Sequence, residues 1–177
     1  MEAYLASVDA RLTEGFKFDS FVAVISYIRG PLVEAMQESF VLYETTPELM
    51  TFYSKRLFHA VREAFKLLDS FLTSASRVEI ISAWHAIVLT DAALAPYSAS
   101  IRDIFEERFV DRLMQEYTWP TELKSPEEAQ TDEEIASLNQ LVDFVNILRA
   151  CPHSQRLRDC FLTSAPESIK NWAQTVL

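Results

Sequence analysis

Glycine is nearly absent from this chain: Gly15 and Gly30 are the only two in 177 residues. So few leave no material for the many tight hairpin turns of a β-sandwich or barrel. They leave none for a phosphate-cradling loop or a dinucleotide fingerprint either. Cysteine is equally scarce. Cys151 and Cys160 stand alone, which is too few for a disulfide framework, and they read as free thiols of a reducing compartment. Long hydrophobic runs are missing as well. The most apolar stretch, Ala83 to Leu89, contains His85 and falls far short of the ~20 residues of a membrane span. No basic segment followed by an apolar core opens the sequence, so the expected location is intracellular, cytoplasmic or nuclear.

Positive charge is outweighed. Lys and Arg number 16 against 26 Asp and Glu, a formal net charge of −10. About half of that excess lies between residues 122 and 134, where Glu122, Glu127, Glu128, Asp132, Glu133 and Glu134 face only Lys124. Such a field repels phosphate polymers and anionic leaflets, so nucleic acid and membrane surfaces are disfavoured as partners.

What the chain does have is apolar mass, 49% of its residues with 12% aromatic, enough for a continuous core. The spacing of that mass is helical throughout. Tyr4, Leu5, Val8 and Leu12 mark one face of a first helix that Gly15 interrupts. The run 21–28 has the composition of a buried strand, yet no other segment offers it a partner. It is therefore assigned as a helix, capped by Asp19 or Ser20 and stopped by Gly30, with Pro31 opening the next helix to about Glu44.

Thr46-Pro47 pairs a capping hydroxyl with proline in the first turn and begins a helix to about Thr73. Its apolar residues, among them Leu49, Tyr53, Leu57, Phe58, Val61, Phe65 and Leu68, cover about half the circumference and predict a helix buried against two or more neighbours. The segment 77–94 is apolar nearly all round, with Glu79, Ser82 and His85 as a narrow polar strip, and is expected at the centre of the bundle. Ser98 or Ser100 caps the following helix, which carries Ile101, Ile104, Phe105, Phe109, Val110, Leu113, Met114 and Tyr117. Capping boxes at Ser125/Glu128 and Thr131/Glu134 precede a helix with Ile135, Leu138, Leu141, Val142, Val145 and Leu148, ended by Cys151-Pro152. A short helix near 154–161 and a last one opened by Ser164/Glu167, bearing Ile169, Trp172, Val176 and Leu177, complete the chain.

The expected fold class is all-α: an irregular multi-helix bundle, or a short helical-hairpin, HEAT-like solenoid, of about eight or nine helices. Helix starts near Pro47, Ser98 and Pro152 lie about 50 residues apart, but these stretches share only proline and apolar spacing. The expected organisation is a single helical domain over 1–177, with 118–134 as an acidic inter-helix loop. The apolar stripe of the last helix predicts that it docks back on the bundle or is covered by further chain or a partner.

The chemistry-bearing patterns are mostly missing. His59, His85 and His153 fall on three different helices, and none stands three residues after a glutamate, so no metal site is expected. No nucleophile elbow occurs. Cys151 and His153 sit on one turn, where a nucleophile and its base seldom align. Glu106-Glu107 and 132–134 are consecutive acids that fan around a helix instead of converging. No catalytic residue, cofactor or metal is assigned.

One constellation stands out. Lys55, His59, Arg62 and Lys66 follow at i, i+4, i+7 and i+11, so they align within about 60° on the long helix. Such a stripe suits an acidic or phosphorylated peptide; the plainer alternative is a solvated helix face. Trp119, in the loop after Tyr117, and Trp172, on the last helix, are aromatic candidates for partner contact. The expected function is accordingly a non-enzymatic protein-interaction module, an adaptor or scaffold, which includes self-association as a homo-oligomer. The alternative is an all-α small-ligand carrier or enzyme with an aromatic-lined pocket.

Overall fold

The structure is a computed structural model. It describes residues 1–115, 119, 127–128, 130–150 and 155–176, apart from the side chains of 137, 147, 148, 150, 172, 173, 175 and 176. The elements are α1 (Glu2–Thr13), α2 (Phe21–Tyr27), a π turn (Ile28–Leu32), α3 (Val33–Tyr43), α4 (Pro47–Ser74), α5 (Arg77–Leu94), α6 (Arg102–Gln115), α7 (Asp132–Ala150), α8 (Gln155–Ser164) and α9 (Glu167–Val176). No strand occurs among the described residues, so the fold is all-α, and residues 21–28 are helical. Where the sequence reads as one domain, the chain divides into two compact units, Met1–Ile104 and Phe105–Leu177. Of the acidic loop 118–134, only Trp119, Glu127, Glu128 and 130–134 are described.

Unit 1 is organised by a rod that the sequence would have cut in two. Ser20 caps α2 by accepting the Ala23 N–H at 3.2 Å. Gly30 does not stop the helix, and Pro31 does not open a new one. The backbone stays right-handed helical through Tyr27, Ile28, Leu32 and Val33, making α2, the π turn and α3 continuous. The reason lies in Pro31, which lacks an N–H and whose ring would collide with the carbonyl four residues back in an α-helix. Widening by one residue, so that Val33 donates to the Ile28 carbonyl, absorbs both defects.

This rod is the centre of unit 1. Phe21, Val24, Ile25, Ile28 and Leu32 are at most 2% exposed, because α4 and α5 both pack against α2 and the π turn. From α4 comes a single seam of Leu49, Tyr53, Leu57, Ala60, Ala64, Leu68 and Leu72, in which the two alanines let the backbones approach closely. The wide apolar arc expected of α4 is therefore buried along one side only, and Phe65 and Phe58 at its other edge remain 49% and 70% exposed. The expectation that α5 is central is also corrected. It buries Ile80, Trp84, Ile87 and Leu94 and leaves Val78 74% exposed, with Leu89 exposed too. Too few elements flank α5 to cover every side, and an all-round apolar composition cannot show which side will be left. The rhythm of about 50 residues finds no counterpart in packing built on one central rod.

A buried hydroxyl cluster ties α1, α3 and α4 together. Ser39 Oγ lies 2.8 Å from Tyr4 Oη and 2.5 Å from Tyr53 Oη, and both Ser39 Oγ and Tyr53 Oη lie 2.8 Å from the Ala35 carbonyl. Three hydroxyl protons serve four contacts, so the bonding alternates within the cluster. At the end of α5, Asp91 reaches forward. Its Oδ1 accepts from the Ser100 hydroxyl at 3.0 Å and from the Ile101 and Arg102 N–H groups at 2.7 and 3.2 Å. Ser100 itself accepts the Asp103 N–H at 3.3 Å. The start of α6 is thus held by the expected serine and an unforeseen aspartate.

In unit 2, Phe105, Phe109, Val110 and Leu113 of α6 are buried, as are Leu141 and Phe144 of α7, Leu157 of α8 and Ile169 of α9. Ile169 packs with Leu141 and Ala165, so α9 docks on its neighbours through this residue. Thr131 and Glu134 form the expected capping box, each accepting the other's N–H at 3.2 Å; Ser125 is outside the described residues. Ser164 does not cap α9. Its hydroxyl bonds back to the Cys160 carbonyl at 2.5 Å, and the N–H groups of Ile169 and Lys170, the third and fourth residues of α9, are taken by the Pro166 carbonyl. Phe144 replaces Ile135 and Val142 as a buried anchor of α7, the latter two being exposed. An Arg156 fork joins α8 to α6, with Nε and Nη2 each 2.6 Å from one Asp111 oxygen and Nη1 3.2 Å from Glu107.

Candidate functional site

The stripe on α4 is surface. Lys55, His59, Arg62 and Lys66 are all exposed, since the buried seam occupies the opposite side of the helix. Their chemical states differ. Lys66 Nζ is 2.7 Å from Glu63 Oε1, a hydrogen bond that holds the Glu63 carboxyl below the usual range, helped by the nearby charges of His59 and Arg62. By contrast, Lys55 and Arg62 make no hydrogen bond or ion pair among the described residues.

Arg56 is a fifth cation of the region, one residue and about 100° round the helix from Lys55. That turn aims it at α1, where it pairs with Asp9. Both of its terminal nitrogens lie 3.3 Å from Thr13 Oγ1, and its guanidinium sits 5.7 Å from the Phe52 ring centre. Burial lowers its pKa. Arg56 is therefore committed inside the fold, while Lys55 and Arg62 face outward.

Beside the stripe, α1 and α4 enclose a groove of about 510 Å³. Its walls are Phe52, Lys55, Arg56 and His59 with Thr51, Asp9 and Glu48. The lining holds two acids, Asp9 and Glu48, and two permanent cations, Lys55 and Arg56, of which Arg56 is paired with Asp9. The excess of positive charge lies along its outer edge, from Lys55 past His59 to Arg62. A second recess, of about 220 Å³, adjoins the first through Arg56 and His59, and is walled by Leu12, Thr13, Phe16, Phe18 and Tyr27. Phe16 and Phe18 each lie 5.0 Å from the Tyr27 ring, edge to face, and Phe18 is 5.9 Å from the His59 ring.

Sequence reasoning found Lys55 and His59 and missed Arg56, Phe52, Phe16 and Phe18. The adjacency of Lys55 and Arg56 was the available signal for one of them. Phe52 lies on α4 itself, whereas Phe16 and Phe18 come from the α1–α2 connection, and only tertiary packing brings them to α4.

The remaining candidates lie elsewhere. Trp119 belongs to unit 2, where its ring meets Phe144 at 4.8 Å and Phe161 at 5.8 Å and its Nε1 donates to Ser164 Oγ at 3.2 Å. These contacts engage its indole within its own unit. The side chain of Trp172 lies outside the described residues, as do Cys151 and His153. His85 is exposed, because the polar strip of α5 falls on its uncovered side. Among the described residues no group of His, Cys, Asp and Glu is placed to hold a metal ion, and no helix is long and apolar enough to cross a membrane.

Similarity offers no further guide: no family model matches the chain, and neither a curated protein nor a solved structure is significantly similar to it.

Proposed function

We propose that this protein is an interaction module that holds an acidic segment of a partner protein along the outward face of α4. The observation that supports this is the pair Lys55 and Arg62, two exposed cations that make no hydrogen bond or ion pair among the described residues, in a chain of net charge −10. Two neighbouring cations are engaged by the protein's own acids, Arg56 by Asp9 and Lys66 by Glu63. Cations left over on one line are available to carboxylates from outside. A carboxylate suits them better than a phosphate, which favours several donors converging on one point; the guanidinium nearest to doing so, Arg56, is already occupied.

Spacing sharpens the ligand. Seven residues of helix separate the two cations by about 10.5 Å along the axis. A peptide in the polyproline II conformation advances about 3.1 Å per residue and returns to the same face every third residue, so acids three residues apart would meet Lys55 and Arg62 in turn. A second reading, a carrier of a small carboxylate ligand, has the size of the Phe52-walled groove in its favour, since about 510 Å³ is within the usual range for small-molecule sites.

The test is fluorescence anisotropy with a labelled acidic peptide carrying Glu at every third position. Lys55→Glu with Arg62→Glu should weaken binding at least tenfold without lowering the melting temperature, whereas Lys66→Ala should change it less than threefold. Undiminished binding by the folded double variant defeats the proposal. Binding of a free aromatic carboxylate with no binding of the peptide would favour the carrier.

A further inference from the structure

We infer that the partner segment inserts one aromatic side chain into the recess between Phe16, Phe18 and Tyr27 while its acids lie on Lys55 and Arg62. The inference rests on the proposed docking of an acidic segment and adds what anchors it. The recess and the groove are contiguous, sharing Arg56 and His59 as their common wall, so one ligand can occupy both.

The chemistry of the recess is that of a side-chain pocket. Leu12 is buried at its base, Phe18 and Tyr27 meet edge to face, and Phe16 stands at the rim 40% exposed. A volume of about 220 Å³ holds a single ring and little more. Three aromatic side chains in the lining favour a ring over an aliphatic chain, because aromatic pairs gain from offset or edge-to-face contact beyond the area they bury. Charge complementarity decides what flanks that ring. The cationic edge of Lys55 and Arg62 begins beside His59, which forms part of the recess wall, so residues neighbouring the aromatic in the partner meet positive charge first.

Two peptides of identical acidic sequence, one with a central 4-fluorophenylalanine and one with alanine there, make the test. Isothermal titration with the wild-type chain should show the aromatic peptide binding at least tenfold tighter. Phe16→Ala, at the exposed rim, should reduce that advantage to under threefold while leaving the alanine peptide's affinity unchanged. Independently of any variant, the fluorine resonance should shift and broaden on binding. Equal affinity of the two peptides overturns the anchor and leaves the acidic-segment proposal standing; failure of both peptides to bind overturns the two together. Sedimentation of the protein alone checks the rival occupant, a second copy of this chain. A dimer that Phe16→Ala dissociates would overturn the peptide assignment.

Discussion

The two units solve the same problem, holding amphipathic helices together, but among the described residues only unit 1 buries polar side chains to do it. In unit 1 a polar link lies inside, besides surface ion pairs such as Arg11–Glu38 between α1 and α3. Ser39 and Tyr53 are buried between α3 and α4, and their hydroxyls exchange bonds with each other, with Tyr4 and with the Ala35 carbonyl. In unit 2 the charged link described is outside, where Arg156 grips Asp111 and Glu107 with about half of each Arg156 and Asp111 side chain open to water. Buried hydroxyls must all be satisfied or they destabilise, which makes unit 1 intolerant and specific. A solvated fork contributes little net energy but orients α8 on α6. The comparison teaches where each unit will break.

The largest effect is expected from the central rod. Phe21→Ala removes a ring that is 1% exposed and stacks on Phe71 at 5.0 Å, and should cost about 3–5 kcal/mol in chemical denaturation. A loss below 1 kcal/mol would show that the rod is not the centre of unit 1. In unit 2 the corresponding truncation is Trp119→Ala. Its indole is only half-buried, so a loss of about 2 kcal/mol is expected, and hydrogen exchange should localise the loosening to α7 and α8.

Next comes the hydroxyl cluster. Burial raises the Tyr53 phenol above its ordinary value, and Tyr27 is raised for the same reason. A folded-state pKa above the unfolded one adds stability that is complete below about pH 10 and lost as pH rises through the folded value. Tyr53→Phe should therefore lower stability at pH 7 by about 1 kcal/mol and make the alkaline decline shallower. An unchanged alkaline profile would remove Tyr53 from the account.

A gain is expected at Glu44. It ends α3 with φ 57° and ψ −169°, a region that only glycine occupies without strain. Glu44→Gly should raise stability by roughly 1 kcal/mol, measured by its shift of the denaturation midpoint. The smallest effect belongs to Arg156→Ala, whose loss should be slight at low salt and vanish as salt is added. A loss that persists at high salt would mean that the fork does more than orient α8.

How much of this could be read from the residues depends on how local the cause was. Helix starts at Ser20, Thr46 and Thr131 were legible because a capping side chain and its N–H lie within three residues of each other. Ser76 and Glu79 form a complete capping box of the same kind, legible by the same rule and overlooked. The continuation through Gly30-Pro31 was not legible, since both residues are breakers and only a change of helix width reconciles them. On the candidate site, the alignment of Lys55, His59, Arg62 and Lys66 followed from helix geometry alone. That Lys66 is neutralised by Glu63 while Lys55 and Arg62 are not depends on which side chains actually meet.

By itself, then, the order of residues determined that this protein is helical, where most helices begin, and that four basic side chains share one line on the longest. Each of these depends on contacts within a turn or two of the same chain. Tertiary structure alone decided which apolar faces are covered, that the α2–α3 rod and not α5 is central, and that Phe16 and Phe18 from the α1–α2 connection and Tyr27 from α2 stand beside Arg56 and His59 of α4. Periodicity records how much apolar surface a helix carries, and burial depends on how many neighbours arrive to cover it.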